Sequence, residues 1–109
     1  MIERGATYIA SEKGVLTSKP RPVLVLQNQR VNSFYPTITA CLISATLTGR
    51  HEVRVPVSPS LLNGLKQFSE VQADRLFSFQ RDSFDRHLGR LNERDMERVE
   101  SAIRRWLGF

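Results

Sequence analysis

One arginine in this chain is set where it can act on a ligand. Lys19-Pro20-Arg21-Pro22-Val23-Leu24-Val25-Leu26-Gln27-Asn28 holds Arg21 between two prolines. The residue before a proline is driven to extended backbone angles, so no helix forms there. The apolar, β-branched run that follows reads as a strand buried on both faces, ending at the polar Gln27-Asn28 pair. Arg21 therefore stands where a rigid core strand meets the surface, a position from which a side chain is aimed with little freedom. A guanidinium offers five donors in a planar fork that matches phosphate and carboxylate. Most arginines at strand ends are merely solvated, so the surroundings of this one decide its meaning.

Charge supplies the first of those surroundings. The 109 residues carry 16 Lys and Arg against 11 Asp and Glu, a net charge of +5, which favours an anionic partner. Residues 1–73 hold eight cations against four acids, and residues 74–109 hold eight against seven. The excess thus belongs to the strand-rich part. Thirteen of the sixteen cations are arginine, the better residue for bidentate phosphate contact. Nucleic acid is the partner this composition favours, with binding that weakens steeply as salt is added.

Other chemistries find little support. Cys41, His51 and His87 lack the spacing of a zinc site, and no Gly-rich phosphate loop is present. A lone cysteine forms no internal disulfide and fits a reducing compartment. No apolar run approaches the length of a membrane span, and Met1-Ile2-Glu3-Arg4 is not the start of a signal peptide. The expectation is one cytoplasmic domain over residues 1–109, without metal or other cofactor.

The elements that must position Arg21 are legible as a strand series closed by a helix. Thr7 to Ala10 is a short first strand, followed by a polar turn from Ser11 to Pro20. Val23 to Gln27 is the second strand, and Asn28 to Pro36 is a loop anchored by Phe34. Thr37 to Leu47, rich in Thr and Ile, is the third, closed by Thr48-Gly49. Glu52 to Val57 alternates as a half-exposed strand, and Pro56 marks it as an edge. Ser58 to Leu65 reads as a turn, Ser69 to Phe79 as a strand bent near Asp74-Arg75, and Phe84 to Leu91 as a further strand. Asn92 is an N-cap, Glu93 and Asp95 favour the first helical turn, and Gly108 ends the helix. Met96, Val99, Ile103 and Trp106 form its apolar stripe, opposite a solvated face of Glu97, Arg98, Glu100 and Arg104. The predicted class is α+β, mainly β: a small, bent, barrel-like antiparallel sheet with a C-terminal helix.

The same order of elements, with several words of sequence, resembles the MazF/PemK family, the ribonuclease toxins of bacterial type II toxin–antitoxin modules. The resemblance runs through Arg4-Gly5, the Arg21 to Asn28 stretch, Phe34 with Pro36-Thr37, Ala73-Asp74-Arg75, and Leu88-Gly89-Arg90-Leu91. It implies a bent SH3-like barrel of the CcdB/MazF kind, a symmetric homodimer, and metal-independent cleavage of single-stranded RNA. In that reaction the ribose 2′-hydroxyl attacks the adjacent phosphorus, giving a 2′,3′-cyclic phosphate and a 5′-hydroxyl. RNA is chosen over DNA because it brings its own nucleophile.

By this resemblance the catalytic arginine falls on Arg21 and the catalytic threonine on Ser44. Arg21 is assigned to charge stabilisation on the phosphorane, because a guanidinium gives up a proton poorly. Serine keeps the hydroxyl that bonds a phosphoryl oxygen, with Thr46, two residues on, as the alternative on the same strand face. Substrate contacts are expected from Lys19, from Asp74 through a base edge or by orienting Arg21, and from Arg75. The Ser11–Pro20 turn is shorter than the family's groove-covering loop. The partners implied are RNA and an acidic antitoxin. A second reading comes from Trp106-Leu107-Gly108-Phe109, which resembles the tail with which the related CcdB toxins poison gyrase.

Overall fold

The two prolines act as expected. Pro20 and Pro22 keep Arg21 extended, and the computed structural model begins its second strand at that arginine. Residues 2–12 and 19–109 are described, so most of the Ser11–Pro20 turn lies outside the described residues. In chain order the elements are β1 (Ala6–Ala10), β2 (Arg21–Val25), α1 (Gln29–Asn32), β3 (Thr37–Ser44), β4 (Arg54–Val57), β5 (Ser69–Gln80), β6 (Phe84–Arg90) and α2 (Glu93–Leu107). A 3₁₀ turn over Arg81–Ser83 joins β5 to β6.

The strands make one antiparallel sheet in the order β4-β5-β3-β2-β1-β6. Among the described residues β4 and β6 are its two edges and do not pair, so the sheet is strongly bent, as the sequence predicts, without closing into a complete barrel. Its bend has a local cause. Between Cys41–Leu76 and Leu42–Gln72 the β3–β5 register slips, and the extra residues Ala73, Asp74 and Arg75 are accommodated in β5 as an irregularity that turns the strand.

Both faces are buried, which is why β2 reads as a continuous apolar run. On one side Leu24, Cys41, Ile43, Val55, Val57 and Val71 pack with Val99 and Ala102 of α2. On the other, Tyr8, Val23, Val25, Ile38, Ala40 and Phe79 form a second cluster. Removing a leucine-sized side chain from either costs about 2–5 kcal/mol. Burial pushes the Cys41 thiol up, so this cysteine is an inert core residue.

α2 begins and ends where the sequence predicts. The Asn92 side chain accepts from the Asp95 N–H at 2.7 Å, and Gly108 closes the helix at φ 85°, a left-handed angle that glycine adopts without strain. The apolar stripe is shorter than its spacing suggests. Met96, Val99 and Ile103 meet the core while Trp106 stays half exposed. Glu100 is not simply solvated either, since it takes Arg4 at 2.7 Å and ties the entry of β1 to α2. In the β2–β3 connection a single helical turn forms, capped by Asn28, and Phe34 is 72% exposed rather than an anchor. The buried residue there is Asn32, because the tight turn directs its amide inward to the Gln27 carbonyl. No described helix is long and apolar enough to cross a membrane.

Candidate active site

Arg21 opens onto a cleft built by backbone crossings. The segment 58–68 passes over β1 and β6 and is fastened to both. The Thr7 hydroxyl donates to the Asn63 carbonyl at 2.8 Å, and the Arg90 N–H donates to the Leu62 carbonyl at 2.9 Å. Asn63 holds the segment in shape from within: its side-chain oxygen accepts from the Ser60 and Leu65 N–H groups, and its amide donates to the Ser58 carbonyl. The crossing is too close for side chains. A Cβ on Gly89 would run into the Leu62 carbonyl, and one on Gly64 into the Leu88 carbonyl.

The result is an open cleft of about 420 Å³ with an apolar floor that includes Ile9, Ile43, Leu65 and Leu88. Its polar lining holds Arg21, Lys66 and Arg86 with the hydroxyls of Ser44, Thr46 and Ser69, and no carboxylate. Among the described residues no carboxylate lies within ion-pair distance of any of these three cations. A dianionic or polyanionic ligand is what such a lining attracts.

Ser44 is the last residue of β3, where the strand leaves the sheet. Its Oγ accepts from the Thr46 N–H at 3.1 Å, which fixes the oxygen and leaves its own O–H as a donor toward the cleft. Thr46 lies past the end of β3 in a bend. It therefore shares the cleft with Ser44 but not a strand face, because the chain turns before the two-residue alternation is completed.

That bend is held by Glu70. This side chain is only 2% exposed, and its carboxylate accepts from the Thr48 N–H and hydroxyl and from the Gly49 N–H at 2.8–3.0 Å. Burial raises its pKa, but the Thr48 and Gly49 donors together with the charge of Arg54 outweigh it and hold the carboxyl below the usual glutamate value.

Asp74 is placed differently from expectation. Arg54 reaches both of its oxygens in a bidentate pair at 2.9–3.0 Å, with side chains 8% and 13% exposed. Burial raises the Asp74 pKa, and the bonds and charge from Arg54 override it and lower it. Asp74 thus orients Arg54 and not Arg21. It and the exposed Arg75 sit on the bulge of β5, outside the cleft lining, and Lys19, exposed two residues before β2, is also outside that lining. β3 lies between β5, which carries Asp74 and Arg75, and β2, which carries Arg21, and no local pattern reveals that.

The structure adds Arg86, Lys66 and Ser69 to the cleft, none of which the sequence singles out. The Glu70 clamp did leave a trace, as an acid beside Val71 at the head of β5 in Ser69-Glu70-Val71. His51 and His87 lie outside the Arg21 cleft: His87 stacks on Tyr8 with ring centroids 4.8 Å apart and donates from Nε2 to the Gly89 carbonyl.

Residues 4–107 match the family model described as the PemK-like, MazF-like toxin of type II toxin–antitoxin systems. The chain belongs to the PemK/MazF toxin family. It is 32% identical over 108 residues to the probable endoribonuclease MazF of Mycolicibacterium smegmatis, covering 99% of this chain and 98% of that protein. The Mycobacterium tuberculosis toxin MazF-mt6 superposes with a TM-score of 0.82 at 27% identity, covering 95% of this chain and 97% of that one. A mycobacterial endoribonuclease solved in complex with its cognate antitoxin has the same fold, with a TM-score of 0.85 at 22% identity, covering 100% and 97% of the two chains. Membership in PemK/MazF favours the Arg21-centred reading over the CcdB-like one suggested by the C-terminal residues.

Proposed function

We propose that this PemK/MazF protein is the toxin of a type II toxin–antitoxin module, a sequence-specific endoribonuclease that cuts single-stranded RNA without metal and halts translation. The observation that carries this reading is the acid-free cleft in which Arg21, from the start of β2, and Ser44, from the end of β3, line one space. Two strands of a rigid sheet hold them, so neither must be ordered when substrate arrives. A phosphodiester seated there meets fixed positive charge where the phosphorane develops its negative charge.

In this mechanism Arg21 stabilises the equatorial oxygens and Ser44 donates its hydroxyl to one of them, with its oxygen oriented by Thr46 N–H. Attack by the neighbouring 2′-hydroxyl forms the new bond to phosphorus and breaks the bond to the 5′-oxygen; the proton given up by the 2′-oxygen is matched by one taken up by the 5′-oxygen, leaving a 2′,3′-cyclic phosphate and a 5′-hydroxyl. Thr46 contacts the substrate beside Ser44. Lys19, one proline away from Arg21, and Arg75 meet phosphates or bases of flanking nucleotides. Asp74, already engaged by Arg54, acts by holding the β5 bulge from which Arg75 projects.

The protein works in the cytoplasm as a homodimer and is silenced by an acidic antitoxin segment lying in the same cationic groove. The test is incubation with a long single-stranded RNA in EDTA, with the cut ends mapped chemically. Discrete cuts bearing cyclic phosphates are expected from the wild type, and cleavage about 10²–10³-fold slower from a folded Arg21→Ala protein. Intact RNA from the wild type, or near-normal cutting by Arg21→Ala, refutes the assignment.

A further inference from the structure

We propose that Arg86 is a second phosphate-binding residue of the RNA cleft, holding the phosphate next to the one that is cut, and that a bulge in β6 exists to put it there. The inference rests on the nuclease reading above and goes beyond it by assigning a residue that the resemblance does not supply.

The argument begins with alternation. In a regular strand Phe84, Arg86 and Leu88 share one face, and His87 lies on the other. The contacts contradict this. Phe84 meets the Tyr8 ring edge-on at 5.7 Å, and His87 stacks on the same Tyr8 ring at 4.8 Å. Two residues three apart thus face the same side, which requires one residue too many between them. The register shows it: Tyr8 pairs with His87 and Ala10 with Phe84, so Ile9 alone faces both Asp85 and Arg86. A bulge of this kind turns the side chains that follow it to the opposite face, here until a second register shift between Thr7 and Tyr8 restores the original alternation. Arg86 and Leu88 consequently line the cleft, away from the aromatic cluster that holds Phe84.

Distance and charge then identify what Arg86 meets. β1 lies between β2 and β6, and Arg21 and Phe84 both pair with Ala10. Strands two places apart are separated by roughly 9–10 Å, so arginines reaching in from β2 and β6 have room to hold neighbouring phosphates of one strand. Among the described residues Arg86 forms no ion pair, although Asp85 precedes it. The cleft between the two arginines has an apolar floor at Ile9 and Leu88, which accommodates sugar and base rather than a further charge. An extended polyanion with regularly spaced charges fits this arrangement, and a single small anion uses only half of it.

The experiment measures retention of a 2′-O-methylated copy of the cut RNA segment across a salt series, beside cleavage of the unmodified RNA. Losing one phosphate contact to a single strand lowers the log–log salt slope by about 0.7. Arg86→Ala is expected to show that reduction, with weaker retention and a raised KM but nearly unchanged kcat, and Arg86→Lys to keep the wild-type slope. Thermal unfolding of each variant separates lost contact from lost fold. A wild type that cuts and retains RNA, beside an Arg86→Ala protein of unchanged slope, overturns the assignment alone. An Arg86→Lys protein that behaves as Arg86→Ala also overturns it, since charge would not be the cause. A wild type that neither cuts nor retains RNA overturns the nuclease reading and this assignment with it.

Discussion

Replacing Glu70 with glutamine keeps the size of the side chain and removes only its charge and one acceptor, so it isolates what holds the bend after Ser44. Three donors converge on the carboxylate: the Thr48 N–H, shared by both oxygens, the Thr48 hydroxyl and the Gly49 N–H. In either orientation of the new amide, an NH2 group faces a backbone N–H. One charge-assisted bond is lost, a buried donor is left facing another, and the remaining bonds weaken. At about 1.5–3 kcal/mol for each hydrogen bond to a charged group, Glu70→Gln should destabilise by about 3 kcal/mol. That is a large share of the roughly 5–15 kcal/mol that holds a domain of this size, and it lowers Tm by roughly 12–24 °C. The effect has a pH signature. Glu70 is held below its unfolded pKa, so its contribution is complete above about pH 4.3. It is lost as pH falls through the folded-state value, where the wild type also becomes neutral. The assay is urea or thermal unfolding of both proteins from pH 7 to pH 3, followed by far-ultraviolet circular dichroism. A stability difference below about 1 kcal/mol at pH 7, or one that stays constant down to pH 3, refutes this account of the clamp.

Ser44→Ala should slow RNA cleavage more than it weakens retention of the 2′-O-methylated RNA, while Ser44→Thr keeps activity. A silent Ser44→Ala beside an inactive Thr46→Ala would move the catalytic hydroxyl to the bend. Gly89→Ala forces a methyl group into the Leu62 carbonyl and should cost about 1–3 kcal/mol or prevent folding. A Gly89→Ala protein with wild-type Tm would show that segment 58–68 is not pinned there. Trp106, Leu107 and Phe109 leave apolar surface at the end of α2, 49–87% exposed, which a two-fold interface between copies would cover. Sedimentation should give a dimer, and only monomer at micromolar concentration would count against it. Adding salt should slow antitoxin capture more than it speeds release, because rim charges chiefly set the association rate. Stopped-flow mixing at two ionic strengths decides this, and an unchanged association rate refutes it.

Local sequence alone determined most of the elements. Proline on both sides of Arg21 and the apolar run behind it specify β2, and the Asn92 and Gly108 caps bound α2. These features work through backbone angles and hydrogen bonds within a few residues, so they are legible without knowing the fold. The strand ends shifted by one to three residues, since hydrogen bonding to neighbours, not propensity, sets where pairing stops. β3 stops at Ser44 instead of Leu47, and just beyond it the Thr48 and Gly49 N–H groups donate to the Glu70 carboxylate instead of to a neighbouring strand.

The cleft needed the tertiary structure. Arg21 and Ser44 were recognisable as candidates, but that they line one space follows only from the antiparallel order of β2 and β3. Asp74 read as a substrate contact because nothing nearby in sequence reveals Arg54, twenty residues earlier, which an adjacent edge strand brings to it. Arg86 was hidden most completely. Its alternation with Phe84 and Leu88 placed all three on one face, and one extra residue opposite Ile9 reversed that. A bulge is settled by pairing between strands far apart in the chain, so the face on which an arginine emerges belongs to the sheet and not to its own segment.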